Sequence, residues 1–184
     1  MSARVKILIG AVVVAVAAAG GAAYALVQDS GSTETTICDY AEHYSTAATL
    51  AAHSDVVVAG QVRQKVRTTS GDYGGGTDFA FVVTSVLSDP GKRLPQGVGT
   101  VTVHQTGTSA GTACREDPLF TKGSQAVLFL HEYAPGSFAV VGGPDGRLVV
   151  RDGQVSPFNA SSLQFTGTVD GLTQAMRQDA TVTP

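Results

Sequence analysis

The sequence predicts a mainly β protein: a small closed barrel with a short helix before it and a helix after it, set behind a transmembrane or signal helix. Three observations carry this prediction. An uncharged apolar run fills the N-terminus, period-two alternation dominates from Asp55 onward, and turn residues recur between the alternating stretches. Helical spacing of apolar residues is confined to one short stretch ahead of the strands and one behind them.

The apolar run fixes the expected compartment. Arg4 and Lys6 precede Ile7 to Val27, which contains no charged residue. As a helix this stretch covers about 30 Å, the thickness of the hydrocarbon core of a bilayer. The two cations stay on the cytoplasmic side, so the chain after Gln28 is expected outside. Two readings stand side by side. The length of the run and Tyr24 at its outer end suit an uncleaved, single-pass anchor in the cytoplasmic membrane through residues 7–27. The small-residue pattern Ala23-Tyr24-Ala25 suits a cleaved signal and a secreted domain. The expected organisation is an anchor or signal over 1–28, a flexible polar linker over 29–36, and one β domain over 37–180.

Composition narrows the partners. Without Arg4 and Lys6 the formal charge falls from -3 to -5, with 10 cations against 15 anions. A mildly acidic domain with few lysines excludes nucleic acid as the expected partner, and a polybasic lipid-binding surface with it. Cys38 and Cys114, the two cysteines of an exported chain, are expected to form a disulfide across a long loop.

The elements follow in order. Ile37, Tyr40, Ala41, Tyr44, Ala47, Ala48 and Ala51 recur at helical spacing, and Asp39 with Glu42 gives a capping-box-like start. From Asp55 the period becomes two. Val56, Val58, Gly60, Val62 and Val66 are expected on a buried face, with Gln61, Arg63, Lys65 and Arg67 on a wet one. Ser70 to Thr77 is a glycine-rich turn, Asp78 to Leu87 a second strand ended by Asp89-Pro90-Gly91, and Gly99 to Thr106 a third. A loop with Cys114 and Pro118 leads to Ala126–Leu130, apolar on both faces and therefore a central buried strand. Ala134-Pro135-Gly136 and Pro144-Asp145-Gly146 are expected to make hairpins with Phe138–Val141 and Arg147–Arg151. Thr168 caps a closing helix with Val169, Leu172 and Met176 on one face and Arg177 in its last turn. Short strands of this kind close into a barrel because closure removes bare sheet edges.

Part of this pattern resembles a known family. Ser54 to Val62 resembles the first barrel strand of netrin-like domains, which include the tissue inhibitors of metalloproteinases. Phe81–Leu87 resembles the aromatic-rich strand that follows, Gly107–Cys114 the cysteine-bearing loop, and Lys122–Leu130 the strand entered after a glycine. Similar strand order recurs in bacterial envelope proteins. The resemblance covers residues 38–150 and implies an OB-like five-stranded barrel. It departs from the inhibitors at their reactive end. Their N-terminal cysteine chelates zinc through a free amino group, whereas the nitrogen of Cys38 is an amide.

The chemistry-bearing residues point to binding rather than catalysis. Gly107-Thr108-Ser109-Ala110-Gly111 spells a nucleophile elbow, but residues 112–118 carry no helical stripe to follow it. His43, His53, His104 and His131 show no helical metal-ligand spacing, and Gly71–Gly76 lacks the Lys-Ser/Thr of a phosphate loop. No cofactor, no metal and no catalytic residue is therefore expected. Glu116, Asp117 and Glu132 read as solvated surface acids. Arg63, Lys65 and Arg67 form the candidate binding face, suited to an envelope protein or an anionic wall polymer. The expected function is a non-catalytic extracytoplasmic binding module; the alternative is a small envelope hydrolase using Ser109 or a histidine-bound metal.

Overall fold

A long first strand, paired along both edges at its start and along one edge at its end, organises the domain. A computed structural model of the chain describes residues 38, 40, 42–70, 75–108, 113–158 and 161–178. These belong to one unit, Thr35–Pro184. The expected membrane segment and linker lie outside the described residues, among which no helix is long and apolar enough to cross a membrane.

The elements are α1 (Ala47–Ala52), β1 (Val56–Thr69), β2 (Gly76–Ser88), β3 (Thr100–Thr106), β4 (Gln125–Ala134) and β5 (Ser137–Val140). A single 3-10 turn (Gly143–Gly146) precedes β6 (Arg147–Arg151), β7 (Gln154–Pro157), β8 (Gly167–Thr168) and α2 (Val169–Gln178). Five strands form a ring in the order β1-β2-β3-β5-β4 and back to β1, and β6, β7 and β8 extend the sheet from β4. Every pair in the ring is antiparallel except β3–β5.

The continuous apolar runs explain why β1 and β4 sit at the centre. Val56, Val58 and Val62 point into the ring with Phe81, Leu128 and Phe138, all within one core. Val57 and Ala59 point the other way with Val127 and Phe129, into a second core roofed by Leu50 of α1 and by Leu172 and Met176 of α2. A strand buried on both faces reads as an unbroken run rather than an alternation, which is how Val56–Ala59 and Ala126–Leu130 read.

Several expectations change. The first helix starts at Ala47, not near Ile37. Thr46 is its N-cap, accepting from the Thr49 amide at 3.2 Å, and a helical start there leaves Glu42 free to accept the Tyr44 hydroxyl. Asp39, the other half of the expected cap, lies outside the described residues. Val66 is 55% exposed rather than buried. The register of β1 on β2 shifts between Val62 and Gln64 and again between Lys65 and Arg67, and each extra residue interrupts the alternation. Arg147–Arg151 does not form a hairpin with the strand before it. β5 and β6 follow one another along the same edge of β4, bent by the 3-10 turn. β7 and β8 complete the sheet; β7 returns through Asp152-Gly153, whose φ values of 50° and 75° make the two-residue turn that suits a right-twisted hairpin.

One outward row crosses every strand of the ring. Asp55, just ahead of β1, holds His131 of β4; His131 faces Ala139 of β5, Ala139 faces His104 of β3, His104 faces Asp78 of β2, and Asp78 faces Arg67 of β1. The row leaves β1 at Asp55 and meets it again at Arg67, twelve residues further along.

Candidate functional site

The exposed surface richest in recognisable chemistry lies on this row, where β1, β2 and β3 run side by side. Asp78 is only 2% exposed, and two bases bond it. The Arg67 guanidinium reaches Oδ2 through Nη2 at 2.6 Å and Nε at 2.8 Å, and His104 Nδ1 lies 2.7 Å from Oδ1. Burial alone would raise the Asp78 carboxyl, but the His104 and Arg67 contacts outweigh it and hold the group below the ordinary carboxylate range. The other edge of the His104 ring lies over Gly76, where any side chain would collide with Cε1 and Nε2. Tyr133, 50% exposed, sets its ring edge-on to His104 at 5.8 Å. A charge cluster and an exposed aromatic thus share this side of the ring, and the exposed Val66 precedes Arg67 in the chain, a mixture common in protein-contact surfaces.

The three cations singled out in the sequence do not form one stripe. Lys65 stands opposite Phe79 and Arg67 opposite Asp78, neighbours on β2 that point to opposite faces. Arg63 falls in the register shift between Val62 and Gln64. Arg67 is committed to Asp78, and the Lys65 ammonium donates to the Thr108 carbonyl at 3.4 Å. All three side chains are exposed, and they spread around the free end of β1 rather than along one wall. Alternation predicted the stripe, and the bulges broke it.

The acids of the Cys114 loop are not solvated. Asp117 is buried, and Arg147 Nη1 reaches its Oδ1 at 3.1 Å and the Pro118 carbonyl at 2.6 Å. Gln105 donates to Asp117 at 3.1 Å and accepts the Phe120 amide at 2.8 Å, and the Tyr40 hydroxyl donates to Oδ2 at 3.4 Å. The Arg147 guanidinium is stacked between Phe120 and Phe158, 4.4 and 4.2 Å from the ring centroids. Burial pushes Asp117 up against the opposing pull of Arg147, and pushes Arg147 down. Asp117 is bonded by Arg147, Gln105 and Tyr40, so the cluster fastens the loop to β3 and β6. Glu116 Oε2 is buried with no hydrogen-bond partner among the described residues. Glu132 bridges Arg93 at 3.5 Å and the Gly136 amide at 3.0 Å.

The remaining candidates divide as follows. The disulfide joins Cys38 to Cys114, with Cα atoms 5.4 Å apart. Ser109 lies outside the described residues, as do residues 71–74 of the glycine-rich turn. His43 approaches Asp145 at 3.4 Å, and His53 Nδ1 bonds the Thr49 carbonyl at 2.8 Å. Among the described residues no group of three His, Cys, Asp or Glu could hold a metal ion. The Asp78–His104 and Asp117–Arg147 pairs went unrecognised in the sequence, because their partners stand 26 and 30 positions apart; strand register joins the first pair, and the fold of the Cys114 loop the second.

No family model matches the chain, and no curated protein matches its sequence.

Proposed function

We propose that the chain is a non-catalytic binding module, tethered to the cytoplasmic membrane by residues 7–27, whose OB-like barrel works outside the cytoplasm. The free end of β1 is its contact surface for an envelope protein or an anionic wall polymer. One observation carries this reading. β1 runs 14 residues, but its ladder with β4 ends at Gln61, and Arg63–Thr68 beyond it are exposed, with Arg63, Lys65, Val66 and Arg67 among them. Charged and aliphatic groups on a projecting strand suit recognition of an anionic partner.

The strand order and the twelve-residue stagger around the ring support the OB-like reading, since stagger and tilt together close a sheet on itself. This agrees with the netrin-like resemblance over residues 38–150. The Cys38–Cys114 bridge supports export to an oxidising compartment. The test is photo-cross-linking in intact cells from a probe amino acid at position 66. A reproducible neighbour, protein or polymer, that disappears with Arg63→Glu and Lys65→Glu is the expected outcome. An empty or unchanged pattern rejects the surface.

One observation favours the hydrolase alternative. A carboxylate on His104 Nδ1 is the arrangement that orients a general base, and His104 is five residues from Ser109. Labelling of Ser109 by a fluorophosphonate probe, abolished by His104→Ala, is the result that reading requires.

A further inference from the structure

One edge of β1 loses its partner before the strand ends. The ladder with β4 stops at Gln61, and one further pair of bonds closes on Val62. Its amide donates to the Ser124 carbonyl at 3.0 Å, and its carbonyl accepts the Gly123 amide at 2.7 Å. Beyond that point β1 runs on to Thr69 with β2 along its other edge, and residues 63–68 are all exposed. Among the described residues no main chain pairs the first edge past Val62.

The direction of the main-chain groups there follows from β2. The Gly75 carbonyl accepts the Gly107 amide at 3.0 Å, and the Val83 amide donates to the Gly99 carbonyl at 3.1 Å. The ladder between these two bonds is regular. Thr77, Phe79 and Phe81 therefore turn their main-chain groups to β3, and Gly76, Asp78 and Ala80 turn theirs to β1. On β1 those three meet Thr69, Arg67 and Gln64. Lys65 and Thr68 stand opposite Phe79 and Thr77, so their N–H and C=O point away from β2, to the side on which Val62 reaches Ser124. The register shifts at Val62–Gln64 and Lys65–Arg67 each add one residue and leave this order intact.

Open main-chain groups on a strand edge recognise another extended main chain. The side chains then select its charge. Arg63 and Lys65 supply two cations, and Arg67 uses Nε and Nη2 on Asp78, leaving Nη1 outside that pair. Lys65 and Arg67 stand on opposite faces, so an added strand meets a cation on each face when it carries acids at two adjacent positions. Val66, 55% exposed, lies between them as an aliphatic contact. A second copy of β1 would set like charges against like, which disfavours it as occupant. A wall polymer of phosphates would match the cations and leave the main-chain groups of Lys65 and Thr68 unused.

We infer that an extended acidic segment of a partner protein adds to β1 as a further strand. It bonds the main chain of Lys65 and Thr68 and sets two adjacent carboxylates at Lys65 and Arg67. The inference deepens the contact surface proposed above and rests on it, selecting a protein over a wall polymer.

The test is amide hydrogen exchange, read by NMR, of the isotope-labelled full chain in detergent micelles. The probes are acetyl-Thr-Val-Glu-Glu-Val-Thr amide, the same peptide N-methylated at every residue, and poly(glycerol phosphate). The plain peptide is expected to slow exchange saturably at Lys65 and Thr68, and to leave Arg67 and Thr69, already turned to β2, unchanged. N-methylation and Thr68→Pro should each weaken binding about tenfold. A proline at this edge position removes an N–H that β2 does not use, and the methylated peptide tests the same bonds on the unaltered protein. Equal binding of the two peptides overturns the added strand and leaves an anion-binding surface. Saturable binding of poly(glycerol phosphate) without binding of the peptide makes the occupant a wall polymer, and the inference falls. It falls also when no probe binds, and the cross-link from position 66 then decides the surface by itself.

Discussion

Asp78 illustrates what single residues contribute here. A buried carboxylate is tolerated because an arginine and a histidine from the two neighbouring strands bond it. Its folded-state pKa is lowered, so its contribution to stability is present above the unfolded value near 4 and is lost as pH falls through the folded value. Asp78→Asn is therefore expected to cost about 1–3 kcal/mol at neutral pH. The gap should narrow steadily below about pH 4. Urea midpoints of both proteins across that range check the sign; a gap that is constant with pH refutes it. Arg67 was legible by itself as a wet strand position. Its meeting with Asp78 and His104 was not, since a strand pattern shows which face a residue occupies but not which residue stands opposite. The same gap turned Asp117, buried beside Arg147, into an expected surface acid.

At the level of elements, the 3-10 turn ties together segments far apart in the chain. Its Asp145 is fully buried and accepts the Tyr44 amide at 2.9 Å, the Ser162 amide at 2.5 Å and the Ser161 hydroxyl at 3.1 Å. Gly142 and Gly143 both have positive φ, and a side chain at either would strike the ring of Tyr44 or Tyr40. The turn thus seats the entering segment and the segment before α2 at one carboxylate. Asp145→Ala leaves the buried Tyr44 amide and the part-buried Ser162 amide without their acceptor, at about 1–3 kcal/mol for the first and less for the second. Chemical denaturation should register a loss of about 3 kcal/mol or more, and a change under 1 kcal/mol would contradict the role. Pro144-Asp145-Gly146 was readable as a turn, but its keystone carboxylate was not. Conversely, Asp152-Gly153 is a strong hairpin signal, and with it β7 could have been foreseen. β8, two residues long, left no pattern to read.

For the whole molecule, alternation and turn spacing were enough to foresee a β domain closed by a C-terminal helix, because burial on one or two faces writes itself into the order of apolar residues. Closure of the five-strand ring was an argument about edges rather than a reading of residues. The helix ahead of the strands was misjudged in extent, since Tyr40 and Tyr44 keep helical spacing yet pack onto the glycines of the 3-10 turn. The Cys38–Cys114 link spans 76 positions and restrains the unfolded chain by about 4.5 kcal/mol in the loop-entropy picture. Cys38→Ser with Cys114→Ser should lower the unfolding free energy by a large part of that amount. The intact mass of the native chain without reductant should be two hydrogens below its reduced mass.

The parallel contact between β3 and β5 joins only Thr102–His104 to Ser137–Ala139, while each neighbouring stave is longer. A hoop parts first at its shortest joint. Slow deuterium uptake everywhere in the circle except at those of these amides that point across this joint would mark it as the gate through which the interior first meets water, well before the molecule as a whole comes apart.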